Sequence, residues 1–191
     1  MELAIAAVIG YLLGAVPTGV LICRLAQAPD VRHTGSGHTG GLNVTRSAGL
    51  WAGAMTAIGD ALLGAAAIAA AWLITDNPWA ATAAGVLAVI GHNWSAFIRF
   101  GGGIGLATLT GTLLRFSPLP AVEAVGILLP LWLVLIRLLR VHRARATILV
   151  MSIVGPLLWA LGLPWPGILL GALGGVVVIL KTLPDCNRRY A

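Results

Sequence analysis

Residues 33–46 read His-Thr-Gly-Ser-Gly-His-Thr-Gly-Gly-Leu-Asn-Val-Thr-Arg, a polar, glycine-rich segment between two long apolar runs. Glycine permits backbone turns in which several N–H groups converge on one anion. The Ser36 hydroxyl, the Asn43 amide and the Arg46 guanidinium are suitable donors to complete such a cradle. The segment therefore has two interpretations, a phosphate-binding site or a flexible polar loop between two membrane helices.

The composition of the whole chain is that of an integral membrane protein. Of its 191 residues, 59% are hydrophobic and only 9% are charged, and the mean hydropathy is +0.96. These values favour a single integral membrane domain over residues 1–191. The net charge of +6 does not indicate a nucleic-acid partner, because the basic residues are dispersed and lack interleaved aromatic side chains.

The two cysteines, Cys23 and Cys186, are far apart in the sequence. Neither belongs to a Cys-x-x-Cys or Cys/His arrangement. We therefore predict neither a disulfide framework nor a zinc site.

The apolar pattern predicts an all-α polytopic fold with seven membrane-spanning helices, because apolar runs alternate with Gly, Pro, Asn and Asp turns. The triplet Pro17-Thr18-Gly19 predicts a kink in the first run. The fourth run is short, since roughly 11 helical residues cover about 16 Å of a hydrocarbon core of about 30 Å. The predicted spans are residues 3–25, 50–74, 79–97, 106–116, 121–139, 147–163 and 167–180.

The distribution of basic residues predicts the orientation of these spans. With the N-terminus outside and the C-terminus in the cytoplasm, only Arg115 of the twelve Lys and Arg residues lies outside, as the positive-inside rule favours. This orientation brings two glycine-rich segments, residues 33–46 and 99–105, to the inner face. The basic residues predicted to lie inside are Arg24, Arg32, Arg46, Arg99, Arg137, Arg140, Arg143, Arg145, Lys181, Arg188 and Arg189.

Three polar side chains within the apolar runs, those of Asp60, His92 and Asn93, are candidates for a functional site because such groups are costly in lipid. Asp60 belongs either to a site or to a structural ion pair, and Arg46 is its expected partner. His92 is either functional or an imidazole that caps backbone carbonyls at a helix end.

Four successive motifs carry a resemblance to a known family. They are Gly14-x-x-Pro17-Thr18-Gly19, Gly35-Ser36-Gly37-x-x-Gly40-x-x-Asn43-x-x-Arg46, Asp60-x-x-x-Gly64, and Gly91-His92-Asn93-x-x-x-Phe97-x-x-Phe100-x-Gly102-Gly103-x-Gly105-x-Ala107-Thr108. In motif order, spacing and span plan, the chain resembles the bacterial membrane glycerol-3-phosphate acyltransferases that use acyl-phosphate donors. The resemblance is specific over residues 10–110. Beyond them it rests on the span pattern and on Asn187-x-Arg189, which is similar to the family's closing Asn-x-x-Arg element.

The resemblance implies transfer of an acyl group from acyl phosphate to the sn-1 hydroxyl of glycerol 3-phosphate, giving lysophosphatidic acid and phosphate for phospholipid biosynthesis. It also implies a protein of the cell inner membrane, in contact with membrane lipid, whose active site faces the cytoplasm. A mixed anhydride is already activated, so we expect no cofactor, no metal and no covalent enzyme nucleophile. Two alternatives stay open: a relative that binds lipid or acyl phosphate without turnover or with another acceptor, and a small membrane transporter.

The resemblance also implies roles for individual residues. Ser36, Arg46, His92 and Asn93 are expected to be catalytic, with His92 hydrogen bonding to the attacking hydroxyl or taking its proton. Ser36 and Arg46 are expected to hold one phosphate and the loop of residues 101–105 the other. The residues expected to bind substrate or phosphate are Gly35, Gly37, His38, Gly40, Asn43, Asp60, Arg99, Gly102, Gly103, Gly105, Thr108 and Asn187.

The chain departs from the family pattern where the family carries cations. Each lost charge-assisted hydrogen bond to a phosphate is worth about 1.5–3 kcal/mol. Lys181 is the only lysine and is predicted to lie in a polar tail, so Arg99 and the arginines of residues 140–145 are the candidate replacements. The departures are His38 for the usual Asn, Leu42 for Thr, and Leu63, Gly101 and Ile104 for Lys.

Overall fold

The computed structural model describes residues 1–188, which form an all-α protein, as predicted. Arg189, the last residue of the predicted Asn187-x-Arg189 element, lies outside the described residues. The α-helices are α1 (Glu2–Gly14), α2 (Thr18–Leu25), α3 (Gly41–Ala48), α4 (Leu50–Ile74), α5 (Pro78–Asn93), α6 (Leu106–Phe116), α7 (Pro118–Arg137), α8 (Arg143–Ser152), α9 (Val154–Ala160) and α10 (Trp165–Thr182). Single 3₁₀ turns are formed by Val31–His33, Ala96–Ile98 and Leu183–Asp185.

Within residues 1–188, five helical segments are long and apolar enough to cross a membrane. They are Glu2–Leu25, Leu50–Ile74, Pro118–Arg137, Arg143–Ala160 and Trp165–Asp185. The other two predicted spans are also helical but shorter, since α5 has 16 residues and α6 has 11. The fold is thus that of a helical membrane protein.

Proline breaks the first span where the sequence predicted a kink. Helix α1 ends at Gly14 and α2 begins at Thr18, with Pro17 between them. Proline has no N–H to continue the helical ladder. The break brings the Thr18 hydroxyl to the carboxylate of Asp60 on α4.

Two of the predicted boundaries that bear on the site were wrong. The third span was predicted to reach Phe97, but α5 ends at Asn93, because the chain turns back and Ser95 exchanges backbone hydrogen bonds with the segment 98–101. Lys181 was placed in a polar tail, but α10 continues to Thr182 and therefore keeps this lysine on the helix.

Helix α5 lies at the centre of the bundle, and α1 packs closely along it. An added Cβ at Gly10 or Gly14 would overlap the backbone carbonyl of Ala84 or Ala88, respectively. Small residues permit this approach between membrane helices. The packing fixes the end of α5, where His92 lies.

We expect Gly14→Ala to lower the thermal unfolding midpoint in detergent, because the new methyl forces α1 away from α5. Overpacking of this kind costs about 1–3 kcal/mol. Gly126→Ala on α7 is the matched control, since nothing lies within 4 Å of the added Cβ and alanine is favoured over glycine in a helix by about 0.5–1 kcal/mol. Equal effects of the two substitutions would contradict this account of the packing.

Candidate active site

A cavity of about 390 Å³ lies where both glycine-rich segments meet the ends of the helices. Its polar wall comes from the segment 36–46, from α4 and α5, and from the C-terminal turn (residues 183–188). Its apolar wall includes Leu50, Ala57, Leu106 and Trp132. Eight of the predicted site residues line the cavity: Ser36, His38, Gly40, Asn43, Arg46, Asp60, His92 and Gly105.

Asn43 holds the glycine-rich segment in shape. Its side chain is 3% exposed, and its Nδ2 donates to the carbonyls of Val31, Thr34 and His38 at 2.9–3.0 Å. Its Oδ1 accepts from the Ser36 N–H at 3.2 Å. One amide therefore satisfies backbone groups on both sides of Ser36.

Ser36 and Arg46 face the cavity from this segment. The Ser36 hydroxyl accepts from the His38 N–H at 3.4 Å. The Ser36 carbonyl accepts from Arg188 Nη1 at 3.2 Å, which ties the segment to the C-terminal turn. Arg46 lies in the last turn of α3, on the same helix as Asn43. Two candidate donors to an anion thus lie on one short stretch of chain.

Asp60 and His92 form a buried polar pair across α4 and α5. They are 2% and 7% exposed, respectively, and His92 Nδ1 lies 3.5 Å from Asp60 Oδ1. The Thr18 hydroxyl donates to the same carboxylate. Arg46 was the predicted partner of Asp60, whereas the contacts that the structure gives this carboxylate are with Thr18 and His92.

The second glycine-rich segment packs directly on the end of α5. The Gly103 N–H donates to the His92 carbonyl at 3.1 Å. An added Cβ at Gly103 would overlap Nε2 of the His92 ring, and one at Gly102 would overlap the His92 carbonyl. Gly105 has a φ of +84° and approaches Asn93, so its conformation favours glycine. The segment therefore fixes the imidazole from the side opposite Asp60.

The other eight predicted site residues do not line the cavity. Asn93 is fully buried and donates to Val177 on α10, and Thr108 is buried in α6. Arg99 is exposed at a left-handed turn, and Asn187 is exposed and accepts from Arg145. Gly35 and Gly37 form left-handed turns next to Ser36, while Gly102 and Gly103 pack against His92 and Asn93.

Among the candidate replacements for the missing lysines, Arg143 lines the cavity and Arg99 does not. Lys181 lies against the end of α5, where its Nζ donates to the Asn93 carbonyl at 2.5 Å and lies 5.1 Å from the centre of the Trp94 ring. The lysine therefore supports the backbone behind His92.

Two cavity-lining residues were not predicted: Thr182, the last residue of α10, and Asp185 in the C-terminal turn. Asp185 is 4% exposed, and its Oδ2 lies 2.5 Å from His38 Nε2. The available signal was an acidic residue placed just after the last apolar run, in a tail that is otherwise basic.

Asp30 stabilises the entry to the first glycine-rich segment from outside the membrane-spanning helices. Its carboxylate accepts from the backbone N–H and the guanidinium of Arg32. The side-chain hydrogen bond from Arg32 lowers the pKa of Asp30 to about 2. The pair thus stays ionised near neutral pH and fixes the 3₁₀ turn before the site.

Residues 4–190 match the sequence family described as Glycerol-3-phosphate acyltransferase. The chain belongs to the glycerol-3-phosphate acyltransferase family. The resemblance seen in the motifs is therefore confirmed.

Two family members show how much of the chain is shared. A glycerol-3-phosphate acyltransferase of Rubrobacter xylanophilus is 39% identical over 175 residues, covering 91% of this chain and 84% of the relative. One from a Synechococcus strain is 39% identical over 188 residues, covering 98% of this chain and 89% of the relative.

The fold is similar to crystal structures of PlsY (YgiH), an integral membrane glycerol 3-phosphate acyltransferase. The glycerol 3-phosphate form superposes with a TM-score of 0.82 at 28% identity, covering 98% of this chain and 92% of the other. The lysophosphatidic acid form gives a TM-score of 0.81 at 26% identity, covering 98% and 91%. These family members place the chain among integral membrane proteins.

Proposed function

We propose that the chain transfers an acyl group from acyl phosphate to the sn-1 hydroxyl of glycerol 3-phosphate, giving lysophosphatidic acid and inorganic phosphate. One observation carries the proposal: Ser36, Arg46 and His92, from two glycine-rich motifs far apart in sequence, line a single cavity. The family membership supports the reaction class. The relatives are named as acyltransferases, so they give the transporter alternative no support.

The two phosphates are assigned to the basic part of the cavity. The Ser36 hydroxyl and the Arg46 guanidinium bind one of them, because charge-assisted hydrogen bonds are the strong ones for such groups. Arg143, at the start of α8, supplies a further cation in place of the family's lysines. The acyl chain lies along the apolar wall that includes Leu50 and Trp132.

The chemical step is a direct transfer. The sn-1 oxygen attacks the carbonyl carbon of the mixed anhydride, a new ester bond forms, and the bond from that carbon to the phosphate oxygen breaks. Phosphate leaves with the electron pair. His92 hydrogen bonds to the attacking hydroxyl and accepts its proton, and Asp60 and Gly103 hold the ring for that role. Positioning of the two anions supplies most of the rate, since the donor is already activated.

We further propose that all seven apolar runs cross the membrane with the N-terminus outside. In this arrangement the short helices α5 and α6 each cross the membrane, and the glycine-rich segment between them lies at the inner face. The placement of eleven of the twelve basic residues on one side supports this orientation. The cavity then opens on the cytoplasmic side of the cell inner membrane, where water-soluble glycerol 3-phosphate is supplied.

The test is phosphate release by purified protein supplied with palmitoyl phosphate and glycerol 3-phosphate. We expect Ser36→Ala, Arg46→Ala and His92→Ala each to lower kcat/KM by at least about tenfold, because each removes a hydrogen bond to a charged or reacting group. Ser117→Ala and Arg115→Ala are matched controls outside the cavity-lining set. Turnover at the wild-type level in all three cavity variants would contradict the site assignment.

A further inference from the structure

His38 and Asp185 form a second carboxylate–imidazole pair in the cavity, distinct from Asp60 and His92. They are 147 positions apart in the sequence, and Asp185 Oδ2 lies 2.5 Å from His38 Nε2. Both residues line the cavity. The other oxygen of the same carboxylate lies 3.5 Å from Arg188 Nη1. Asp185 is therefore a buried acid whose two oxygens both have partners.

The pair determines what His38 offers to a ligand. A carboxylate only accepts hydrogen bonds, so it binds the tautomer that carries its proton on Nε2. In a neutral imidazole of that tautomer, Nδ1 is an acceptor. Within residues 1–188 no protein group is bonded to Nδ1. His38, whose side chain has this acceptor nitrogen, is one of the residues that line the cavity.

The hydrogen-bond acceptor on His38 matches a hydroxyl group of glycerol 3-phosphate. An ionised phosphate only accepts hydrogen bonds, whereas a hydroxyl can also donate one. Glycerol 3-phosphate has two hydroxyls, and the cavity has two imidazoles, of which His92 is assigned to the attacking sn-1 hydroxyl. The remaining hydroxyl at sn-2 therefore has His38 as its acceptor.

We propose that His38 binds the sn-2 hydroxyl of glycerol 3-phosphate and that Asp185 is a positioning residue that fixes the required tautomer of His38. The proposal rests on the proposed function of the cavity. It assigns to these residues the selection of a glycerol phosphate over a phosphorylated alcohol that lacks the second hydroxyl. Loss of the carboxylate in such a pair leaves the ring in place but permits the wrong tautomer.

The experiment compares Asp185→Asn with the wild type, using glycerol 3-phosphate and 3-hydroxypropyl phosphate, which lacks the sn-2 hydroxyl. We expect the substitution to raise the KM for glycerol 3-phosphate about tenfold, the usual effect of one hydrogen bond. We expect an unchanged KM for palmitoyl phosphate and a kcat within about twofold, because the hydroxyl contact is outside the reacting bonds. With 3-hydroxypropyl phosphate the variant and the wild type should be equal.

A second variant, His38→Asn, distinguishes a positioning role of Asp185 from a purely structural one. In His38→Asn the side-chain oxygen accepts from a hydroxyl without any tautomer to fix, so adding Asp185→Asn should have no further effect. Two results would overturn the inference, because they would show that Asp185 only ties the C-terminal turn to the site. One is that Asp185→Asn raises the KM for glycerol 3-phosphate as much in the His38→Asn background as in the wild type. The other is that it raises the KM equally for glycerol 3-phosphate and 3-hydroxypropyl phosphate. An unchanged KM in Asp185→Asn would overturn it as well.

Equilibrium binding of labelled glycerol 3-phosphate keeps this inference separate from the proposed reaction. If the purified wild type binds glycerol 3-phosphate about tenfold more tightly than Asp185→Asn but releases no phosphate, the hydroxyl contact is supported and the proposed function fails. If it releases phosphate and Asp185→Asn binds equally well, the proposed function stands and the inference fails.

Discussion

Gly103→Ala is expected to lower kcat/KM for acyl transfer by at least about 100-fold, because a displacement of about 1 Å at a reacting group costs this much. The added Cβ overlaps His92 Nε2 and lies 3.1 Å from both neighbouring ring carbons. The ring has no room to move aside, since Asp60 lies 3.5 Å from its other nitrogen. Phosphate release that depends on glycerol 3-phosphate is the measurement.

Two comparisons test the cause of that loss. Gly101→Ala, in the same segment, should have a much smaller effect because the nearest atom to its Cβ is the Ile98 carbonyl oxygen at 3.2 Å. In a His92→Ala background, Gly103→Ala should cause no further loss of kcat/KM, since the imidazole that it displaces is absent. A full additional loss in that background would show that Gly103 acts on something other than His92.

Asn43→Ala is expected to have the second large effect, on both stability and activity. The substitution leaves three backbone carbonyls and the Ser36 N–H without their side-chain partner. An unsatisfied buried group costs about 1–3 kcal/mol, and the segment carrying Ser36 loses its shape. We expect a lower thermal unfolding midpoint and at least about a tenfold loss of kcat/KM.

Asn77→Ala is the matched control for this substitution. Asn77 is exposed and its Oδ1 accepts the Trp79 N–H at the start of α5, so the loss of this cap costs about 1 kcal/mol. The kcat/KM of Asn77→Ala should equal that of the wild type. If Asn43→Ala kept full activity while losing stability, Asn43 would not hold the active conformation of Ser36.

Much of the architecture follows from local features of the sequence. The apolar runs form helices, Pro17 separates α1 from α2, and the two glycine-rich motifs meet at one cavity. These outcomes follow from short-range rules: span length, the missing proline N–H, and the cost of polar groups in lipid. The motif spacing was also sufficient to recognise the family.

The polar partnerships were not predictable in the same way. Asp60 pairs with Thr18 and His92, and His38 pairs with Asp185 from the far end of the chain. Which cation or hydroxyl reaches a carboxylate depends on how the helices pack, and no local pattern encodes that choice. The same applies to Lys181, whose position on α10 brings it to the backbone behind His92 and not into the aqueous tail.

The absence of the family's lysines changes the electrostatics of the cavity. Arg143 is one cation on the cavity wall. His38, which pairs with Asp185, stands where the family usually has asparagine. In the function that we propose, the phosphates bind to guanidinium groups, which offer planar, bidentate contacts that an ammonium does not. We therefore expect substitution of Arg46 by lysine not to be conservative in this site.

The most direct test is the stoichiometry of products formed by the purified wild-type protein from palmitoyl phosphate and glycerol 3-phosphate. We expect one lysophosphatidic acid for each phosphate released, and no release above the spontaneous hydrolysis rate when glycerol 3-phosphate is omitted. Phosphate release without lysophosphatidic acid, or no release with both substrates present, would contradict it.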